Sequence, residues 1–218
     1  MRTLSHAEAR KIYDRIGAMQ DTQAFYEDRA TSELVRLAEI EKATRVFEFG
    51  CGTGRFAARL LSRHLPPSAT YKGVDLSPTM INLASKKLAS FAPRGEVVLS
   101  EGDLPAGEPA GSYDRFLSNF VFDLLSEGEI RRVIDEAHRM LRPGGLLCLS
   151  SLSTGATPFS RAVARLWTRV HGWRPALLGG CRPIALAGFL QEDRWRLRER
   201  VQLAPFGLPS EVIIGERC

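Results

Sequence analysis

The stretch Val46–Leu61, "VFEFGCGTGRFAARLL", places three glycines within five positions, between an apolar run and a run with helical spacing. A strand, a glycine-rich turn and a helix in this order bring backbone N–H groups and a helix N-terminus to the carboxyl edge of a parallel sheet, where ligands bind in α/β folds. A turn without Cβ atoms lets a ligand lie directly on the chain and permits positive φ. The stretch therefore predicts an α/β fold with a ligand site at Gly50, Gly52 and Gly54.

Short apolar or β-branched runs alternate with helical patterns on both sides of this turn, which is typical of a mostly parallel sheet. Strands are predicted at 45–49, 70–76, 96–103, 113–122, 146–152, 194–203 and 210–217. Helices are predicted after the first turn, from the N-cap Ser77 onward, and over 127–141, with the last helix ended by the turn Pro143–Gly145.

The chain has 218 residues, enough for one sizeable core, and no convincing linker interrupts it. We therefore expect one domain with four parts: an N-terminal helical cap over 1–43, a cofactor-binding core over 44–151, an acceptor-side lid or insertion over 152–190, and a final strand pair over 191–218. No apolar stretch approaches the roughly 20 residues of a membrane helix. The four cysteines are far apart, so reduced thiols, no metal site and a cytoplasmic location are expected.

Three carboxylates follow or end the first three predicted strands and indicate the charge of the ligand. Glu48 stands two residues before Gly50, where it would repel a pyrophosphate but attract an ammonium or sulfonium group. The spacing GxGxG also differs from the GxGxxG of dinucleotide sites. Asp75 ends the second strand, where an acid accepts hydrogen bonds from ribose hydroxyls, and Asp103 follows the third, where it could meet an adenine amine.

These motifs, in the order "VFEFGCGTG", "GVDLSPTMINLA", "EGDLP", "YDRFLSNFVFDLL" and "LRPGGLL", resemble the class I S-adenosylmethionine-dependent methyltransferases. The core is also similar to the ubiquinone and menaquinone biosynthesis methyltransferases. The resemblance implies a Rossmann-like seven-stranded sheet with helices on both faces and an antiparallel final strand. It implies S-adenosylmethionine as cofactor, with S-adenosylhomocysteine as product. The cofactor residues that it implies are Glu48, Gly50, Cys51, Gly52, Gly54, Asp75, Leu76, Met80, Asp103, Leu104, Asn119 and Phe120.

Residues outside this core are expected to determine which acceptor binds. Tyr13 could close over the cofactor, and His171 is the best candidate for a general base, although a lid-packing histidine is the simpler interpretation. Trp167, Cys181 and Arg182 are candidates for the acceptor side. The segment "SRAVARLWTRVHGW" places Val163, Leu166, Trp167 and Val170 on one helical face and Arg161, Arg165 and Arg169 on another. Such a helix could be a lid over an apolar acceptor or could rest on an anionic membrane surface.

The sequence therefore favours an enzyme that transfers a methyl group to a small, apolar acceptor such as a phenol, quinol or thiol. An RNA or protein methyltransferase that uses the late arginines is an alternative, but "SNFVF" differs from the [DN]PPY-type pattern of many nucleic-acid amino methylators. A catalytically silent cofactor-binding subunit is another. The sequence leaves the acceptor atom and the oligomeric state open.

Overall fold

A computed structural model describes residues 3–101 and 107–218 of the chain. Its strands form one seven-stranded sheet in the order β3-β2-β1-β4-β5-β7-β6. Only β7 runs antiparallel to its neighbours, and it is inserted between β5 and β6. The strands are β1 Arg45–Phe49, β2 Thr70–Asp75, β3 Gly95–Leu99, β4 Tyr113–Asn119, β5 Leu141–Leu152, β6 Trp195–Leu203 and β7 Ser210–Arg217. The predicted seven-stranded, mostly parallel sheet is confirmed.

Within residues 3–101 and 107–218, six α-helices surround the sheet: α1 His6–Ile16, α2 Ala24–Leu37, α3 Arg55–Arg63, α4 Pro78–Leu88, α5 Glu127–Met140 and α6 Pro158–Trp173. Local sequence sets several of their N-termini. The Ser77 hydroxyl accepts the N–H of Met80 at 3.2 Å, and Pro78 supplies a preset φ at the first helical position. In α5, Ser126 and Glu129 form a reciprocal capping box.

The predicted end of α5 is wrong. The helix ends at Met140, and β5 begins at Leu141 instead of leading into a turn over Pro143–Gly145. Helical backbone is disfavoured immediately before a proline, so the helix stops early. The residues between Leu141 and Leu146 bulge out of the ladder, since Leu141 pairs with Tyr113 and Leu146 pairs with Arg115.

Two apolar clusters fill the space between sheet and helices, one on each face. The first joins α2, α3 and α4 to the sheet through residues such as Leu34, Leu60 and Leu88. The second joins α5 to the opposite face through Ile130 and Ile134. Helices therefore cover both faces, as expected. Within the described residues, no helix has the length and apolar character needed to cross a membrane.

The N-terminal helices are also held to the sheet by buried polar groups. The Asp114 carboxylate accepts the backbone N–H of Thr44 at 2.8 Å, where the chain enters β1. The neighbouring Arg115 guanidinium donates to the carbonyl of Ala38 at 2.6 Å and to that of Glu39 at 3.1 Å. These bonds fix the end of α2 and the start of β1 at the edge of the sheet opposite the glycine turn.

Gly54 is where the turn and the helix layer meet, and it provides a test of the fold. Its φ is +74°, and a Cβ there would lie 2.8 Å from the backbone Cα of Ala84 in α4. We expect Gly54→Ala to lower the free energy of unfolding by about 3 kcal/mol, because positive φ and overpacking both oppose it. Urea unfolding followed by circular dichroism measures this.

The matched control is Gly128→Ala in α5, where nothing lies within 4 Å of the added Cβ. Its effect should stay within about 1 kcal/mol, the ordinary difference in helix propensity. Equal effects of the two substitutions would contradict the packing role of Gly54.

Candidate active site

The glycine turn has the open backbone that its sequence predicts. Gly50, Gly52 and Gly54 have φ of +79°, +53° and +74°. The N–H groups of Gly50 and Cys51 donate to the carbonyl of Val74 at 2.8 and 3.0 Å, which fixes the turn to the end of β2. A Cβ at Gly50 would lie 2.3 Å from the Val121 side chain. The turn therefore tolerates neither the conformation nor the volume of other residues at this point.

Asp75 connects this turn to the loop after β2. Its Oδ2 accepts the N–H of Gly52 at 2.9 Å and its Oδ1 accepts the N–H of Ser77 at 2.9 Å. Burial raises the pKa of the Asp75 carboxyl, and these backbone hydrogen bonds oppose that rise. The carboxylate has a structural task in addition to any contact with a ribose, which stays a prediction.

Glu48 belongs to a buried polar chain that sequence reasoning missed. Its carboxylate accepts the Tyr71 hydroxyl at 2.5 Å and the Asn119 amide at 3.1 Å. The Ser150 hydroxyl in turn donates to the Asn119 amide oxygen at 2.9 Å. Burial raises the pKa of Glu48 to about 7. This pKa lies close to neutral pH, so a cation beside the carboxyl group would lower the pKa and leave the group ionised.

Two neighbouring cavities meet at the glycine turn. The first is here called the inner pocket, and Asp75, Leu76 and Tyr13 contribute to its lining. The second, here the outer cleft, includes Glu27, Glu48 and Arg59. Gln20, Gly50, Gly52 and Asn119 line both cavities, so the two adjoin at the turn.

The end of α1 and the segment between α1 and α2 cover this site and are anchored to the loops after β1 and β2. Asp14 accepts the Ser77 hydroxyl at 2.5 Å, while Asp21 accepts the hydroxyl of Thr53 at 2.6 Å and the ammonium of Lys87 at 2.7 Å. The side chain of Gln20 lies beside Gly52, at 3.5 Å from where a Cβ would be. Its buried Oε1 accepts no hydrogen bond in the described structure, which suits a ligand that brings a donor. No local sequence signal marks Asp14, Gln20 or Asp21.

Aromatic and acidic side chains close the end of the site beyond Asn119. Phe120 takes a φ of +53°, rare for a residue with a side chain, and its ring meets the Tyr26 ring edge-on at 5.6 Å. Glu27, which lines the outer cleft, has its pKa raised by burial to about 7. Asp123 is fully buried, its pKa is also raised to about 7, and its Oδ1 has no hydrogen-bond partner among the described residues. The sequence analysis did not single out Glu27 or Asp123.

The acceptor-side candidates lie together behind this wall. Tyr13 lies close to Cys181, and burial raises the pKa of both groups, so both stay neutral. The Cys181 carbonyl accepts the indole N–H of Trp167 at 2.8 Å. The Arg182 backbone N–H donates to the carbonyl of Asp123 at 3.0 Å, and its guanidinium donates to the carbonyl of Leu125. Tyr13 lines the inner pocket, whereas Trp167, Cys181 and Arg182 support it from behind.

Some predicted residues lie away from the cavities. His171 is fully buried in α6, with its Nε2 at 3.1 Å from the Gly180 carbonyl, and burial lowers its pKa. Met80 is buried in α4 and does not line either cavity. Cys51, in contrast, lines the outer cleft, and its small side chain packs against Gly73. Asp103 and Leu104 lie outside the described residues.

Comparison with known proteins decides the family. The sequence profile of the methyltransferase domain family matches residues 46–145, which run from β1 to the start of β5 and include the glycine turn. Residues 46–145 form a class I methyltransferase domain. The cofactor of this domain family is S-adenosylmethionine, and the roles of Glu48, Asp75 and the glycine turn in holding it stay predictions.

Among curated relatives, the chain is 33% identical over 145 residues to a carboxy-S-adenosyl-L-methionine synthase of Chromohalobacter salexigens. That match covers 66% of this chain and 52% of the relative. It is 30% identical over 155 residues to a demethylmenaquinone methyltransferase of Tropheryma whipplei, covering 67% of this chain and 60% of the relative. The chain therefore spans little more than half the length of these relatives.

The methyltransferase domain and its flanking segments also share their fold with solved structures. The N-methyltransferase NodS from Bradyrhizobium japonicum, in complex with S-adenosylhomocysteine, superposes with a TM-score of 0.70. The alignment covers 96% of this chain and 98% of NodS, at 19% identity. The likeness therefore extends to the N-terminal helices and the last strands, which lie outside the matched domain.

Asp75 provides a test of the cofactor assignment. We expect Asp75→Ala to weaken binding of S-adenosylhomocysteine by on the order of 1–3 kcal/mol, through loss of hydrogen bonds to the ribose and of the turn contacts. Isothermal titration calorimetry measures the affinity, and Asp193→Ala at an exposed position is the control.

A 2′-deoxy analogue of S-adenosylhomocysteine separates the two contributions. The wild-type protein should bind it more weakly than the parent compound, and Asp75→Ala should bind the two equally. A variant that still discriminates between them would overturn the ribose assignment.

Glu48 makes cofactor binding depend on pH. A cationic ligand favours the ionised carboxylate, so below the free-state pKa of about 7 binding must first remove a proton. Affinity for S-adenosylmethionine should therefore rise about tenfold between about pH 6 and about pH 8. Calorimetry in two buffers of different ionisation enthalpy detects the released proton. In Glu48→Gln the rise should flatten, and an undiminished rise would assign the proton to another group.

Proposed function

We propose that the chain transfers a methyl group from S-adenosylmethionine to a small, apolar and weakly acidic acceptor, namely a phenol, quinol or thiol. The observation that carries the proposal is that two cavities adjoin at the glycine turn. The cavities run across the glycine turn and reach Asn119 and Phe120, where aromatic side chains form the wall. The demethylmenaquinone methyltransferase relative supports an acceptor of the quinol type.

The protein has a limited chemical task in such a reaction. When bound, S-adenosylmethionine supplies an electrophilic methyl group on a sulfonium, and an in-line displacement transfers it. Alignment and exclusion of water can then provide much of the rate enhancement. The cover formed by Asp14, Gln20 and Asp21 would exclude water, and the Tyr26 and Phe120 rings would orient a flat acceptor.

A phenol or thiol must also lose its proton, and two residues are candidates for the base. Glu27 lines the outer cleft together with Glu48 and Asn119, and its pKa of about 7 suits a base near neutral pH. His171, the base predicted from the sequence, is buried behind the wall with Nε2 engaged near the Gly180 carbonyl. Geometry therefore favours Glu27 as the proton acceptor and His171 as a residue that positions the 179–182 segment.

The alternative of an RNA or protein substrate that uses the arginines of 194–200 loses support from their arrangement. Arg196 and Arg198 on β6 lie within ion-pair distance of Glu216, Arg200 of Glu211, and Arg194 of Asp135. Arginines paired in this way contribute little net charge to a phosphate-binding surface.

A catalytically silent cofactor-binding role stays as the second candidate, because Glu48, Asp75 and the glycine turn, which are predicted to hold the cofactor, account for binding and not for transfer. A labelled-methyl screen of phenols, quinols, thiols and RNA separates the candidates. We expect transfer to one of the small acceptors and none to RNA. Cofactor binding without transfer to any of them would favour the silent role.

The base assignment is tested on the acceptor that this screen identifies. At saturating cofactor, kcat should rise as pH increases through about 7, because Glu27 accepts a proton only when it is ionised. Glu27→Gln should lower kcat by about 10²–10⁴-fold and remove the rise. The comparison variant is His171→Gln, for which we expect an unchanged pH profile. If the rise of kcat with pH were lost in His171→Gln and kept in Glu27→Gln, the general base would be His171.

A further inference from the structure

The segment after β5 has an unusual charge composition. Residues 154–190 contain five arginines and no aspartate or glutamate. Helix α6, Pro158–Trp173, forms the first half of this segment. It packs on the protein through Ser160, Ala164 and His171, which are buried. The opposite side of α6 is therefore free to meet something outside the described chain.

That outer side is apolar, which differs from the usual polar exterior of a helix. Phe159, Leu166 and Trp173 are 69%, 63% and 73% exposed and lie along one stripe of α6. The expectation that Leu166 shares a face with Trp167 is wrong in this respect, since Trp167 is half-buried and Leu166 points outward. The stripe continues into Leu177 after the helix, which is 62% exposed.

Two aromatic side chains from other elements extend the stripe. Phe206, in the turn between β6 and β7, is 80% exposed, and its ring lies 5.7 Å from that of Phe25 at the start of α2. Gly207 brings this turn against Phe159, since a Cβ at Gly207 would lie 2.7 Å from that ring. We call the set Phe25, Phe159, Leu166, Trp173, Leu177 and Phe206 the apolar patch. Contiguous exposed apolar surface of this kind marks an interaction site.

Arginines flank the apolar patch. Arg161, Arg165 and Arg169 follow the adjacent side of α6 at four-residue spacing and line a groove with Thr154 and Thr168. In the described part of the chain, no carboxylate lies within ion-pair distance of these three arginines, in contrast to the arginines of β6. The guanidinium of Arg174 stacks over the Trp173 ring at 4.9 Å. The face thus combines unpaired positive charge with exposed Trp, Phe and Leu.

We propose that this face docks the protein on an anionic phospholipid bilayer. A helix that lies in a membrane interface places Trp, Phe and Leu at the acyl boundary and Arg among the headgroup phosphates, and α6 has both features side by side. A nucleic acid would pair with the arginines but would leave the aliphatic Leu166 and Leu177 exposed. A second copy would bring like charges of the same arginines together across a twofold axis.

The aromatic rings give this surface a connection to the site. From Phe206 the ring contacts continue through Phe25 to Tyr26 at 5.1 Å and from Tyr26 to Phe120 at 5.6 Å. Phe120 lines the inner pocket. A chain of packed aromatic rings therefore connects the apolar patch to the acceptor end of the site, so docking would place this end of the site near the bilayer surface. The docking proposal itself does not depend on methyl transfer.

The test uses the full chain and two kinds of vesicle, phosphatidylcholine alone and phosphatidylcholine mixed with phosphatidylglycerol. We expect cosedimentation with the mixed vesicles, weak binding to phosphatidylcholine alone, and a decrease as salt is raised. Of the three tryptophans, Trp173 is exposed and Trp195 is buried. Binding should therefore shift tryptophan emission to the blue, and Trp173→Phe should abolish the shift while cosedimentation persists.

Variants separate the two contributions to binding. Arg165→Glu with Arg169→Glu should lower the partition coefficient at least about tenfold, since each arginine near an anionic surface contributes about 1 kcal/mol. Leu166→Ser with Trp173→Ser should lower it to a similar extent by removing the inserted apolar groups. The controls are Arg132→Glu on the exposed side of α5 and Leu99→Ser at the exposed edge strand β3, which should bind like the wild type. Unchanged circular dichroism and S-adenosylhomocysteine affinity establish that each variant is folded.

Several results would overturn the proposal. Absence of cosedimentation with the mixed vesicles is the simplest, and equal binding by the patch variants and the controls is another. Salt-sensitive binding of RNA that is lost in the arginine variants, without vesicle binding, would assign the face to nucleic acid. A dimer in solution that dissociates in Leu166→Ser with Trp173→Ser would assign it to a second copy of the chain.

Discussion

The arrangement of the site depends on the carboxylate of Asp75. Three glycines at positive φ would leave the turn after β1 loosely defined, because glycine has more conformational freedom to lose than any other residue. The two oxygens of Asp75 accept N–H groups from Gly52 and Ser77 and thereby connect the loops after β1 and β2. With these loops held together, Gly54 at the start of α3 packs against Ala84 of α4. This contact sets the positions of the two helices on the sheet.

Three carboxyl groups in and behind the site are held there at some energetic cost. Burial raises the pKa values of Glu27, Glu48 and Asp123 to about 7 each. Their folded-state pKa values lie above those of the unfolded chain, so the folded state binds more protons between about pH 4.5 and about pH 7, and stability decreases as pH rises through that window. A bound cation such as a sulfonium would favour the charged forms and offset part of this cost. These carboxyl groups therefore favour a cationic ligand over a neutral one.

Local sequence patterns were enough to predict most of the sheet and one half of the site. The bounds of β1 and β7, the cap at Ser77 and the glycine turn all follow from periodicity and from residues that act on their immediate neighbours. The bulge after Leu141 was missed because it forms only when β5 pairs with β4. Such a register shift depends on a distant strand and leaves no signal in the nearby sequence.

The site residues that sequence analysis missed also depend on contacts between distant parts of the chain. Tyr71 contacts Glu48 across two strands, and Gln20 reaches Gly52 from a segment more than thirty residues away in the chain. Spacing along the sequence cannot reveal such contacts. The outward position of Leu166 was missed for a related reason, since the helical pattern of α6 shows that an apolar face exists but not which side meets the protein.

The packing of α2 has a consequence for how the chain reaches its native state. Leu34 of α2 and Ala38 just after it belong to the same apolar cluster as Val212 and Ile214 of β7. The packing of α2 is thus completed by a strand that is distant in sequence. During synthesis on the ribosome, α2 has no such partner until β7 has emerged, and contacts of this sequence separation form late. The segment that covers the ligand site is therefore among the last parts to settle, after the sheet beneath it has closed.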